Sequence, residues 1–309
     1  MIDIIGKRYW YFALSLLAIV PGLISLALYG LPLAIDYTGG SLLEIRMPAG
    51  VVPSTEEVIG LVGQVTGFNA ADIRAQPSLQ GTLIIRTREM DAATKTRLEE
   101  ALRARYGEIT LERFESVGPT VGAEVTRGSL VAVAMAAVAI MLYLTFAFRQ
   151  VPHALRYGVA AVLALLHDVA VVVGTASIFG KAFGWEVDAL FLTAVLTVIG
   201  FSVHDSIVVF DRIRENLIRY RGEPYERIVN HSILQTLDRS INTQLTLIFT
   251  LVALLLFGGT TIRQFIAILL IGMISGTYSS IFNAAPILVV WEKREWRTWF
   301  RRPAEQPAP

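Results

Sequence analysis

The sequence predicts a polytopic α-helical membrane protein with six transmembrane helices and one extracytoplasmic α+β domain. Three observations carry that expectation. Hydrophobic residues fill 54% of the 309 positions and mean hydropathy is +0.55, too apolar for an ordinary water-soluble chain. Apolar runs cover about 10–30, 128–148, 155–179, 187–210, 240–258 and 264–291, each near the roughly 20 residues a helix needs to cross a bilayer. Residues 34–125, between the first and second runs, carry instead the patterns of strands and helices of a soluble domain.

Residues 1–33 read as a cytoplasmic N-terminus and the first span. Lys7 and Arg8 precede that span as they would in a signal peptide, but the run Tyr9–Leu33 exceeds the usual 7–15-residue signal core and lacks an A-x-A site, which predicts a retained helix. Gly39 and Gly40 supply a turn where the chain leaves the membrane. Leu42–Met47 and Thr82–Thr87 are strand-like, Thr55–Val65 and Asp91–Tyr106 helix-like, and Ile109–Val117 strand-like again. A short strand near Ala71–Gln76 would complete a split ferredoxin-like βαββαβ unit. The Pro and Gly of SVGPTVGAEV mark a return linker into the five spans of residues 126–292. Residues 293–309 form a cytoplasmic tail whose RRPAEQPAP ending predicts disorder.

Short loops set the orientation. Arg149 and Arg156 flank one loop; Arg212, Arg214, Arg219, Arg221 and Arg227 fill another; Lys293, Arg294, Arg297, Arg301 and Arg302 close the chain. The opposite loops hold only Lys181 and Arg263, so the positive-inside rule places both termini in the cytoplasm. Lys plus Arg (27) nearly cancels Asp plus Glu (26), which points to no nucleic-acid partner. Without Cys there is no disulfide framework, thiolate metal site or cysteine nucleophile. His153, His167, His204 and His231 lack HExxH spacing, so neither a zinc site nor any other metal or cofactor is expected.

Asp205 is the most informative polar position, because an intramembrane carboxylate usually faces a protein interior or a water path. It lies six residues before Asp211, about 9 Å inside that boundary at helical rise. Burial there disfavours the charged form unless a cation or water compensates, as a reversible proton site requires. Ser202 and Ser206 are within a turn and within hydrogen-bonding range; a structural ion pair or helix-end cap is the competing reading. Arg239 is the candidate counter-charge, heading a row with Thr243, Thr246 and Thr250 on one helical face. It reads equally as a positive-inside anchor. His167 and Asp168 sit mid-span, roughly 17 Å from Arg156 along the helix, as a relay or as a packing pair. Neighbours point about 100° apart on a helix and need not touch. His204 lines the face next to that of Asp205, with Gly200, Thr197 and Thr193, and either tunes the site or packs. Gly272, Gly276, Ser280 and Ala284 recur every four residues, a small-residue seam for close helix packing, with Asn283 placed to bond across helices. The soluble domain shows no nucleophile and base together, so contact with chains or partners is its expected work.

Six short motifs in order resemble the SecF family of protein-export membrane proteins: DYTGGSLLEIRM, VGPTVGAEV, LLHDV, VIGFSVHDSIVVFDRIREN, QTLDRSINT and LLIGMISGTYSSIF. The resemblance covers residues 1 to about 295. It implies half of a resistance-nodulation-division transporter architecture, in heterocomplex with SecD and associated with the SecYEG channel in a bacterial cell membrane. There the proton-motive force would help draw exported preproteins outward, with membrane lipids around the bundle. It also favours a functional role for Asp205 and Arg239. ATP hydrolysis would belong elsewhere, since no GxxxxGK[ST] loop is present. The family commonly has Asn-Asp where this chain has His204-Asp205, and Arg-Thr where it has Arg239-Ser240. A small-molecule efflux half-transporter is disfavoured by a single domain of about 90 residues, near the small end of domain sizes. A purely structural scaffold would tolerate neutralisation of Asp205.

Overall fold

The computed structural model describes residues 2–48, 50–77 and 81–297. The RRPAEQPAP ending, with its expected disorder, lies outside them, as do Arg301 and Arg302 of the closing basic cluster. The chain divides into two compact units, Leu33–Leu130 on one hand and Met1–Pro32 with Val131–Pro309 on the other.

Helix α1 (Arg8–Tyr29) is followed by α2 (Ile35–Thr38), β1 (Gly40–Arg46), α3 (Thr55–Thr66), β2 (Arg74–Pro77), β3 (Thr82–Thr87), α4 (Ala92–Tyr106) and β4 (Thr110–Val117). The strand expected near Ala71–Gln76 thus forms as β2. All pairings are antiparallel and the sheet order is β2-β3-β1-β4, the ferredoxin-like arrangement. Ser54 caps α3 by accepting from the Glu57 N–H at 3.2 Å, and Asp91 caps α4 through the Thr94 N–H at 2.9 Å. Period-two alternation turns Leu43 and Ile45 of β1 and Ile85 of β3 inward. They meet Val58 and Val62 of α3 and Leu98 and Leu102 of α4 in one core, where each fully buried side chain contributes roughly 1.5–3 kcal/mol.

SVGPTVGAEV departs from the expected linker. Helix α5 (Pro119–Ala147) begins inside it, since Pro is well suited to a first helical turn. Gly39 and Gly40 have φ of +72° and +124°, and a Cβ on Gly39 would lie 2.8 Å from Pro119 Cα. Gly122 in turn packs against Gly39 N and Tyr37 O. Gly39 of DYTGG and Gly122 of VGPTVGAEV therefore serve one close backbone crossing.

The remaining helices are α6 (Leu155–Phe183), α7 (Ala189–Arg219), α8 (Tyr225–Phe257), α9 (Thr260–Ser279) and α10 (Ala285–Lys293). Among the described residues six helices are long and apolar enough to cross a membrane: Ile5–Tyr29, Pro119–Ala147, Leu155–Phe183, Ala189–Arg219, Tyr225–Phe257 and Ile262–Lys293. The Arg-rich stretch is not a loop; α7 and α8 run through most of it and leave Tyr220–Pro224 as the turn. Pairs Arg212–Glu215 (2.8 Å) and Arg214–Asp211 (2.7 Å) at i,i+3 support the extension. The sixth span is interrupted by a π segment, Ser280–Ala284. Pro286 cannot donate to the carbonyl four residues back, and a wider turn accommodates the lost bond.

In the bundle α1 packs on α6, and α7, α8 and α9 pack against one another. Asn230 Oδ1 accepts from Ile4 N (2.8 Å) and Ile5 N (3.2 Å), while Arg8 binds Glu295 and Glu226. Burial pushes the Glu295 carboxyl up, but hydrogen bonds from Arg8 and Tyr9 and the Arg8 charge outweigh it and hold it below its usual range.

Candidate functional site

Helix α7 buries a stripe that includes Val198, Ser202, Asp205, Ser206 and Val209, the i, i+3, i+4 spacing of a core-facing helix. Asp205 is therefore interior, at 3% exposure. Its Oδ2 accepts from Gln244 Nε2 of α8 at 2.6 Å. Ser202 and Ser206, the partners expected from sequence, are engaged elsewhere. Ser206 donates to its own helix at the Ser202 carbonyl (3.1 Å), and Ser202 donates to Asp168. Short hydroxyl side chains readily bond back to the preceding turn.

Arg239 does not meet Asp205 in an ion pair; among the described residues the contact to Asp205 from α8 is made by Gln244. Arg239, Thr243, Thr246 and Thr250 do share a face, but an exposed one, and the three hydroxyls donate to carbonyls of their own helix. The face of α8 that meets α7 carries Ser232, Thr236, Ser240 and Gln244, all buried. Ser240 Oγ and Gln244 Oε1 lie there without a hydrogen-bond partner. Arg239 instead lines a cavity of about 400 Å³ with Asp211, Arg212, Arg214, Glu215 and Thr236. His204 is exposed, on a face shared with Gly200 and Thr193.

A second buried carboxylate organises the centre of the bundle. Asp168 on α6 has 0% exposure and accepts from Ser202 Oγ of α7 (2.6 Å) and from Ser275 and Ser279 Oγ of α9 (2.8 and 2.7 Å). His167 Nδ1 lies 3.0 Å from Asp168 Oδ1. The neighbours touch although successive side chains on a helix point about 100° apart. His167 Nε2 is buried without a partner. Gly276 makes the cluster possible: a Cβ there would lie 3.2 Å from Ser202 Cβ and 3.6 Å from Asp168 Oδ2, and one on Gly272 would collide with Val198. The small-residue seam, with Ser280 and Ala284 fully buried, is thus filled by helices of the same chain. Asn283 does bond across helices, its Nδ2 donating to Ser15 Oγ of α1 at 2.8 Å.

Sequence reasoning missed Gln244, Ser240 and Thr236, and the serines Ser275 and Ser279. Their signal was present, as polar residues four apart on apolar helices, but a second such row ran beside the first. Among the described residues no group of three His, Asp or Glu side chains is arranged to hold a metal ion.

Residues 97–294 match the family model described as protein export membrane protein SecD/SecF, C-terminal. The chain is 50% identical over 307 residues to protein translocase subunit SecF of Anaerolinea thermophila, covering 99% of each. It is also 50% identical over 318 residues to protein translocase subunit SecF of Thermobaculum terrenum, covering 100% of this chain and 99% of the other. Among solved structures, SecDF from Thermus, described as a translocon-associated membrane protein, superposes with a TM-score of 0.82 at 32% identity. That match covers 95% of this chain and 39% of the SecDF chain. By sequence along its whole length and by fold, this multi-pass membrane chain belongs to the SecF family of protein translocase subunits.

Proposed function

We propose that the chain couples the proton-motive force to preprotein export, with Asp205 as the group that gains and loses the proton. The observation that carries this reading is the partner of Asp205, an amide rather than a guanidinium. A carboxylate accepts from Gln244 Nε2; a protonated Asp205 would donate to the other end of the same amide, whose Oε1 has no partner. Both forms are then served by one side chain, without the large bias toward the anion that a paired arginine would impose. Asp168, with His167 beside it, holds α6, α7 and α9 in register around that exchange, while Arg239 and His204 act from the exposed faces. The chain works with SecD, as the SecDF neighbour suggests, at the SecYEG channel of a bacterial cell membrane. Both termini face the cytoplasm, the domain of residues 34–125 lies outside to contact preproteins or partners, and lipids surround the spans.

The test is export into inverted vesicles carrying the complex with SecD, with and without a proton gradient. Asp205→Asn keeps shape and hydrogen bonding but cannot titrate, so the complex should assemble and lose the gradient-dependent gain. An assembled variant with the full gain would refute the reading. Orientation is read separately: the chain has no Cys, so Ala93→Cys should label from outside intact cells and Arg221→Cys should not.

A further inference from the structure

We propose that Thr236, Ser240 and Gln244 line a narrow hydrated proton path joining Asp205 to the cavity that Arg239 lines. This rests on the proton-carrying role of Asp205 and names the route by which its proton leaves. The three residues recur every four positions on the buried face of α8, at 5%, 2% and 3% exposure, and span about 12 Å at helical rise. Thr236 lines the cavity of about 400 Å³. Gln244 touches Asp205. The row is thus continuous from an open, charged vestibule to the buried carboxylate.

What marks this row as a path is the pattern of bonding along it. Thr236 Oγ donates to the carbonyls of Ser232 and Ile233, both at 3.1 Å, which leaves it able to accept. The next two groups inward, Ser240 Oγ and Gln244 Oε1, are buried and have no partner among the described residues. Buried polar atoms are ordinarily satisfied, by protein or by ordered water. Side chains four apart on a helix have Cβ atoms about 5–6 Å apart, and since Ser240 Oγ bonds directly to neither neighbour, each gap suits one bridging water. A water at each gap would find the two to four polar partners that a buried water needs. The row Thr243, Thr246 and Thr250 differs in being exposed, and each of its hydroxyls already donates to its own helix, so no buried polar atom is left there for a water to satisfy.

The transfer balances simply. The O–H bond of protonated Asp205 breaks and its proton passes to the adjacent water. Each water along the row then gains one proton and gives up another, and the excess proton emerges in the cavity, where Asp211 and Glu215 stand on the wall. Asp205 remains as the carboxylate, held by Gln244 Nε2. Arg239 and its charge belong to the mouth of this route.

The natural absence of cysteine gives a clean background for the test. Thr236→Cys, Ser240→Cys and, as a buried apolar control one further stretch along α8, Leu251→Cys would each be placed in the full chain in complex with SecD. A small charged methanethiosulfonate is then applied to the side bearing Arg212 and Arg214. Modification of Thr236→Cys and Ser240→Cys from that side, with Leu251→Cys an order of magnitude slower, is expected. Ser240→Cys as slow as Leu251→Cys overturns the path, and so does equal labelling of all three, which would report general opening. In the export assay Ser240→Val should abolish the gradient-dependent gain while Ser240→Thr, which keeps the hydroxyl, retains it; equal gains in both overturn the proposal. The labelling does not depend on proton coupling. An unreactive Ser240→Cys beside an inactive Asp205→Asn removes the path and leaves the role of Asp205 standing, whereas an Asp205→Asn complex with full gain removes that role whatever the labelling.

Discussion

Gln244 and Asp205 meet across the α7–α8 interface through one amide-to-carboxylate hydrogen bond of 2.6 Å, both side chains being almost fully buried. Gln244→Leu has similar volume and removes the donor. Hydrogen bonds to a charged group contribute roughly 1.5–3 kcal/mol, and most of that is exposed as a penalty when one partner is deleted. The single variant should lose stability of that order near neutral pH. Replacing both residues by Leu should recover much of it, because an apolar pair leaves no orphaned charge. Thermal unfolding of the four species of this cycle in one detergent gives the coupling; a double variant as weak as the two singles added together would mean that the pair does not interact.

The approach of α1 to α6 rests on Gly22 facing Gly174, where an added Cβ on either would lie 2.6–2.7 Å from the opposite Cα. Three residues along each helix, Ser25 and Ser177 share a 2.9 Å hydrogen bond. Gly174→Ala must push the helices apart and stretch that bond, an overpacking defect of typically 1–3 kcal/mol. Gly200→Ala is the control, since nothing lies within 4 Å of its Cβ position, and it should be neutral or stabilising by up to about 1 kcal/mol through helix propensity. Unfolding midpoints that move the same way for both would contradict the packing argument.

The two-part fold was legible because each period is strong over a long window: unbroken apolar runs for the spans, alternation of two and of 3.6 for the βαββαβ unit. Boundaries were less so. Pro119 looked like a linker residue and is a helix start, and the arginines after Phe210 looked like a loop because hydropathy falls there, although nothing in DRIRENLIR breaks a helix. The Asp205 position was visible from its cost in a membrane, but its partner was not. Rows beginning at Thr236 and at Arg239 both have helical spacing, and spacing cannot say which row turns toward α7. Asp168 had the same problem in greater degree, since its partners Ser202, Ser275 and Ser279 come from helices more than thirty and more than a hundred positions away.

Asp91 offers a pH-dependent check on the α/β unit. Hydrogen bonds from Thr94, its side chain first and then its backbone N–H, hold the Asp91 carboxyl below its ordinary value. A depressed folded pKa contributes stability that is present above the unfolded value, about 3.9, and lost as pH falls through the folded one. Asp91→Ala should therefore lower the unfolding midpoint of this unit at neutral pH. The gap to the unaltered chain should narrow below about pH 4. A gap that persists unchanged into strong acid would show that the side chain acts by something other than its charged cap.

The two buried carboxylates should respond differently to the same substitution. Asp205 accepts from one amide, and Asn at that position still offers Gln244 a carbonyl oxygen, so Asp205→Asn should cost no more than a typical hydrogen bond, about 1 kcal/mol. Asp168 accepts from three seryl hydroxyls on two other helices, with His167 Nδ1 also at 3.0 Å. Three converging hydroxyl donors, with a ring nitrogen beside them, fit a group whose oxygens accept; the amide of Asn puts two donor hydrogens among them and leaves one oxygen to share. Asp168→Asn should lose several of these bonds together, at roughly 1.5–3 kcal/mol for each one to a charged acceptor, and loosen α6 from α7 and α9. Ser279→Ala removes one donor and should fall between the two. Unfolding midpoints and yields of assembled complex, measured side by side, decide the matter: if Asp168→Asn is tolerated as well as Asp205→Asn, the serine cluster is not what holds the three helices together.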